Sequence, residues 1–169
     1  MKVTNVKIIS LLPARSPFYS LEFFPPKEKE SWPDFFSTVE KLRVLNPLFT
    51  SVTYGAGGST QGYTLEITEK LAEAGMTPMA HITCGGADCA GVKAYVKNRV
   101  EAGVFNIMAL RGDIPKGKVI RWDECEFKYA SDLVRFVRRE FPEVGVAVAA
   151  YLTPHPESES FAADRRATA

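Results

Sequence analysis

Leu21-Glu22-Phe23-Phe24-Pro25-Pro26, with its approach Phe18-Tyr19-Ser20, separates the two architectures open to this chain. Aromatic and branched residues favour a strand over 18–24, and the paired prolines end it because they bring no backbone donor to a ladder. An open, doubly wound sheet that binds a dinucleotide is expected to carry a glycine-rich turn after its first strand. Two prolines stand there instead, which weighs toward a (β/α) barrel. Glu22 is a lone carboxylate among apolar neighbours, and burying it requires pairing, hydrogen bonding or protonation. The simplest reading is a strand-end ion pair with a neighbouring unit. The other is a carboxyl held protonated, which can donate.

Outward from this strand the chain repeats one grammar. Ser31 is placed to cap a helix over 31–45, where Trp32, Phe35, Phe36, Val39, Leu42 and Val44 fall largely at helical spacing; Pro33 is tolerated in the first turn, and Asn46-Pro47 ends the run. A strand over 48–54 leads into Gly55-Ala56-Gly57-Gly58-Ser59-Thr60, and a helix carrying Leu65, Ile67, Leu71 and Ala72 closes near Gly75. The next unit is a strand over 76–84, Asp88 as cap, and a helix through Val92, Tyr95, Val96 and Val100 to Gly103. A strand over 104–110 and a polar connection to residue 126 follow. Then come a helix over 129–141 with Leu133, Val134, Phe136 and Val137 inward, a strand over 145–151, and the start of a helix near Ser158 or Ser160. Strand ends at Tyr54, Thr83 and Leu110 are separated by just under about thirty residues, the size of a βα unit. The near-continuous apolar runs at 104–110 and 145–151 fit parallel strands covered on both faces.

The 169 residues fit one domain, 1–169, or part of a larger one, and can bury a sizeable core. Lys and Arg number 21 against 20 Asp and Glu, and the basic residues are scattered, so a formal net charge of +1 offers no electrostatic footing for nucleic acid or an anionic membrane. Residues 1–12 have apolar positions at helical spacing without a long apolar run or a small-residue cleavage site, so a leading helix is expected in place of a signal peptide. No segment is long and apolar enough to cross a bilayer. Cys84, Cys89 and Cys125 form an odd set without a disulfide framework, which suits a reducing, cytoplasmic compartment. His81, Cys84 and Cys89 lack the two-pair spacing of a zinc site, so no metal is expected.

In a parallel α/β fold, chemistry gathers beyond the C-terminal ends of the strands. Those ends carry Glu22, then Thr53 and Tyr54, His81 and Thr83, Arg111 and Asp113, and finally Tyr151 and His155. Residues 55–60 feed a helix N-terminus, where N–H groups and the helix dipole favour anions such as phosphate, although ordinary turn glycines look the same. Arg111-Gly112-Asp113 sets a guanidinium beside a carboxylate, with Gly112 letting backbone approach a ligand closely. The tripeptide is also an adhesion motif, a reading set aside directly after a buried strand in a chain without a secretion signal.

Six stretches, in order, resemble the methylenetetrahydrofolate reductase family: Glu22-Phe23-Phe24-Pro25-Pro26, Ser51-Val52-Thr53-Tyr54-Gly55-Ala56-Gly57-Gly58-Ser59-Thr60, Ala80-His81-Ile82-Thr83-Cys84, Ala109-Leu110-Arg111-Gly112-Asp113, Tyr129-Ala130-Ser131-Asp132-Leu133, and Ala149-Ala150-Tyr151 with His155-Pro156-Glu157. The resemblance implies a (β/α)8 TIM barrel with FAD at the strand C-termini. It also implies reduction of 5,10-methylenetetrahydrofolate to 5-methyltetrahydrofolate, with NADH or NADPH recharging the flavin. Glu22 matches the family's general acid, which helps open the folate ring to an iminium that accepts hydride. Asp113 matches the aspartate whose negative charge favours that cation. Thr53, Tyr54, Ala56, His81, Arg111, Gly112, Tyr129, Ala130, Tyr151, His155 and Asp164 match positions lining the flavin or nicotinamide, as Asp113 does for the flavin. An acid working near neutral pH must be protonated, and an apolar strand end raises a carboxyl pKa, so the residue reading agrees on Glu22.

A whole barrel takes about 250 residues. The expectation is therefore an incomplete barrel of about five parallel strands, with Arg165 and Arg166 near but not at the position of the family's basic residue after Asp164. Edge strands at 18–24 and 146–151 invite a second copy or a partner chain. A catalytically silent half-barrel that associates in this way is the alternative from another functional class.

Overall fold

Five parallel strands pair in the order in which the chain makes them: β1 Ser20–Phe23, β2 Phe49–Val52, β3 Pro78–Thr83, β4 Asn106–Leu110 and β5 Gly145–Val148. Helices α2 (Trp32–Leu42), α3 (Gln61–Glu73), α4 (Cys89–Glu101) and α5 (Ala130–Glu140) fill the crossovers, and α1 (Ile8–Leu11) precedes β1. The structure is a computed structural model and describes residues 6–14, 17–54, 61–113, 119, 121–150, 153 and 160. A doubly wound sheet reverses its strand order at a switch point. Here the order never reverses, which is the winding of a partial (β/α) barrel.

Alternation along each strand gives the sheet two chemically distinct faces. On the helix side, Phe23 and Val52 pack with Trp32 and Val39 of α2 and Ile67 and Leu71 of α3. Ile82, Ile107 and Ala109 pack with Val92 and Val96 of α4 and Leu133, Phe136 and Val137 of α5. Each fully buried side chain of this kind stabilises by about 1.5–3 kcal/mol. The Lys29–Glu66 ion pair is exposed and screened by solvent, so apolar burial holds the helices on the sheet. The opposite face carries Glu22, Ser51, His81 and Thr83, and the register sets Glu22 beside Ser51, Ser51 beside Met79, and His81 beside Met108.

The segment before β1 packs on the N-terminal ends of β4 and β5. Asn106, at the start of β4, accepts from the Ile8 N–H at 2.9 Å and donates through Nδ2 to the Val6 carbonyl at 2.9 Å. Gly145 lies against it, since a Cβ there would fall 2.6 Å from Asn106 Oδ1. This segment covers the starts of β4 and β5, at the end of the sheet opposite the strand C-termini.

Several boundaries differ from expectation for identifiable reasons. The leading helix is a single turn among the described residues and passes into a 3-10 turn at Leu12–Ala14, because Pro13 cannot donate the next helical hydrogen bond. Ser31 makes no capping hydrogen bond. A 3-10 turn at Lys29–Ser31 runs straight into α2, so Ser31 is already near-helical (φ −84°, ψ −3°) where a cap is typically extended. The helix then ends at Leu42 with a 3-10 turn to Leu45 and a left-handed Asn46 before Pro47. Strand β5 is not covered on both faces: Val148 is 55% exposed on this edge strand, which has one paired neighbour among the described residues. The helix expected near 158–160 lies outside the described residues, apart from Ser160.

Candidate active site

Three strands bring three polar groups together on the face away from the helices. Glu22 of β1 and Ser51 of β2 are cross-strand partners, and the Ser51 hydroxyl donates to Glu22 Oε2 at 3.1 Å. His81 of β3 brings Nε2 to 3.5 Å from the same oxygen. That separation is close enough for an ion pair but too long for a hydrogen bond, and Nε2 is buried without a hydrogen-bond partner among the described residues. Burial lowers the His81 pKa and the Glu22 charge only partly opposes this, so the imidazole is neutral at pH 7. The Tyr95 hydroxyl of α4 donates to the His81 carbonyl at 2.6 Å and pins β3 from the helix side. Glu22 itself is not enclosed by apolar groups: its side chain is 48% exposed and faces Ser51 and His81. The apolar burial expected from the sequence is absent, because period-two alternation sends Leu21 and Phe23 to the opposite face.

The second cluster follows β4. Beyond the strand ends, Cys84 N–H donates to Leu110 O at 3.0 Å and Gly85 N–H to Arg111 O at 3.1 Å, so the β3–β4 ladder continues and fixes the Arg111 backbone. The Arg111 guanidinium lies 4.1 Å over the Trp122 ring and 5.3 Å from the Tyr129 ring. Tyr129 is set at the head of α5, whose first residue is Ala130, by a reciprocal pair: its N–H donates to Asp132 Oδ2 at 2.8 Å, and the Asp132 N–H donates to its carbonyl at 3.0 Å. Gly112 has φ +82°, and a Cβ there would lie 2.7 Å from Thr83 Cβ. Asp113 follows on the exposed side. Burial pushes the Cys84 thiol up to about 11, so the thiol stays protonated and donates weakly to the Arg111 carbonyl at 3.6 Å.

Thr53 is tied at both backbone groups, its N–H donating to Phe23 O at 3.0 Å and its carbonyl accepting from Thr64 Oγ1 at 2.9 Å. Tyr54 turns to the helix side and packs edge-on against Tyr95, with ring centroids 5.5 Å apart. A cavity of about 470 Å³ opens there between α3 and α4, lined by Tyr54, Leu65, Ile82, Asp88, Asn98 and Arg99 among others. It lies on the helix side of the sheet, and the Glu22 carboxylate is on the other. Ala56, Tyr151, His155 and Asp164 lie outside the described residues, as does the glycine-rich loop 55–60.

Sequence reasoning did not single out Ser51 or Trp122. Ser51 was within reach: it lies two residues before Thr53 on the same face, in a strand adjacent to that of Glu22. Trp122 gave no signal beyond a lone aromatic in a polar connection.

The family model for methylenetetrahydrofolate reductase matches residues 7–167. The "5,10-methylenetetrahydrofolate reductase" of Buchnera aphidicola is 37% identical over 147 residues, covering 86% of this chain and 48% of that protein. The protein of the same name from Escherichia coli is 35% identical over 146 residues, covering 86% and 47%. "Methylenetetrahydrofolate reductase (NADH) 1" of Arabidopsis thaliana is 34% identical over 161 residues, covering 93% of this chain and 27% of that protein. The chain thus spans about half the length of these bacterial relatives and about a quarter of the plant one.

Proposed function

The chain belongs to the methylenetetrahydrofolate reductase family, and on that premise we propose that it takes part in flavin-dependent reduction of 5,10-methylenetetrahydrofolate to 5-methyltetrahydrofolate. The observation that carries this reading is the Glu22 carboxyl, half-exposed at a strand C-terminus and held by a hydroxyl beside a neutral, buried imidazole. The residues present fit a flavin: His81 Nε2 is a buried polar atom without a hydrogen-bond partner among the described residues, and the Arg111 guanidinium, stacked over Trp122, carries the donor chemistry that carbonyl and phosphate oxygens accept. FAD, when bound, supplies the hydride that reduces the folate. His81, Arg111, Gly112, Asp113, Tyr129 and Ala130, with Thr53, Tyr54, Ala56, Tyr151, His155 and Asp164, are the residues proposed to hold it or to line the nicotinamide. Glu22 gives its proton to the folate amine whose departure opens the ring. Asp113, just past the Gly112 turn, presents a negative charge that favours the cation so formed. Reduced nicotinamide is the proposed electron donor, and NADH is favoured by the name of the Arabidopsis relative.

The test is spectroscopic. Purified protein is expected to carry a flavin absorbance that bleaches anaerobically with NADH and returns on adding 5,10-methylenetetrahydrofolate. A colourless protein that takes up no added FAD would overturn the reading. Such an outcome would favour the silent half-barrel, whose open edges are β1 and β5 among the described residues; the exposed Tyr19, Phe24 and Val148 lie at or beside them. A homo-oligomer or a complex with a partner chain covering those edges is proposed in either case, to be read by sedimentation. No helix among the described residues is long and apolar enough to cross a membrane, and free Cys84, Cys89 and Cys125 suit the proposed cytoplasmic setting.

A further inference from the structure

We propose that Ser51 is a positioning residue for the Glu22 proton donor, holding the carboxyl off the neighbouring His81 imidazole. This role presumes that Glu22 is the acid of the reaction proposed above. Ser51 is 4% exposed, and its hydroxyl donates to Glu22 Oε2 at 3.1 Å, while the same oxygen stops 3.5 Å short of His81 Nε2. In the flavin-free protein Nε2 is buried without a hydrogen-bond partner among the described residues, which is costly, so the carboxyl has a standing inducement to close on the imidazole. Ser51 is the group that competes for it.

A hydroxyl suits that task because it donates to a carboxylate and, after rotating, accepts from a carboxylic acid. The contact therefore persists through turnover. When Glu22 gives up its proton, the O–H bond breaks as an N–H bond forms on the substrate amine, and the carboxylate regains a proton from solvent through its exposed side. Closure on His81 would instead commit the carboxyl to the imidazole. Of the charged groups among the described residues, Glu22 is the one that acts on His81.

The chain has two histidines, His81 and His155, so nitrogen-15 NMR resolves the His81 titration in the whole protein without flavin or folate. Ser51→Ala is expected to raise the His81 midpoint by about half a pH unit or more, because an opposite charge has drawn nearer. Adding Glu22→Gln to that variant is expected to abolish the rise. In turnover, Ser51→Ala is expected to slow the folate half-reaction about tenfold more than reduction by nicotinamide, a difference of about 1.4 kcal/mol in activation free energy. Should Ser51→Ala fail to fold, the near-isosteric Ser51→Cys carries the same test, since a thiol is a weaker donor. An unmoved His81 midpoint, or equal slowing of both half-reactions, overturns the role. A wild-type protein without folate turnover refutes the functional reading instead, and the His81 titration then still decides whether Ser51 holds the carboxyl.

Discussion

Replacing Gly112 by alanine tests how the second cluster is held together. The backbone there has φ +82°, a left-handed conformation that costs an L residue about 1–2 kcal/mol. The added Cβ would also lie 2.7 Å from Thr83 Cβ and 2.9 Å from Thr83 Cγ2, inside any ordinary contact. Thr83 is anchored in β3, so the chain has to move, and overpacking of this kind costs about 1–3 kcal/mol more. The sum, about 2–5 kcal/mol, corresponds to a fall in Tm of about 4–20 °C for a chain of this size. Gly75 supplies the control: it has φ +80° but nothing within 4 Å of a built Cβ, so Gly75→Ala bears the conformational cost alone. Thermal unfolding followed by circular dichroism is expected to show Gly112→Ala clearly below Gly75→Ala. The bound-flavin fraction is expected to drop for Gly112→Ala only, because Arg111 and Asp113 flank it. Equal losses of Tm in the two variants would refute the claim that Thr83 dictates glycine at this turn.

Two further outcomes are expected. Burial depresses the His81 pKa below its unfolded value of about 6.5, so its contribution to stability is intact above that pH and declines as pH falls toward the folded pKa, by at most about 1.4 kcal/mol per pH unit. Urea unfolding between pH 7 and pH 5 should show that slope in the wild type and a shallower one in His81→Gln; identical slopes would contradict it. Trp122→Leu removes the ring under the Arg111 guanidinium and should weaken flavin binding by about 1–2 kcal/mol, or about 5–30-fold in Kd by fluorescence titration, whereas unchanged affinity would place Arg111 outside the flavin site.

The winding of the fold was readable because local chemistry and tertiary packing agree. Pro25-Pro26 ended β1 where a dinucleotide fold would want glycines, and Asp88 caps α4 through a 2.6 Å bond from the Gly91 N–H. Helix ends were less legible, because a 3-10 turn runs into α2 at Ser31, where a simple capping rule places an extended cap, and another carries the chain on from Leu42 to Leu45. At the site, residue identities were legible and environments were not. Flanking Leu21 and Phe23 suggested an apolar setting for Glu22, but its actual neighbours arrive from 29 and 59 residues away through the sheet register. Trp122 meets Arg111 from 11 residues further along the chain, a contact that composition does not encode.

One comparison tests the role of Glu22 most directly: the two flavin half-reactions of Glu22→Gln beside those of the wild type, followed anaerobically by flavin absorbance. Reduction by NADH is expected to proceed at close to the wild-type rate, and reoxidation by 5,10-methylenetetrahydrofolate to slow by about 100-fold or more, the scale of a lost general acid. Reoxidation at the wild-type rate, or equal loss of both half-reactions, would contradict the assignment of Glu22 as the proton donor.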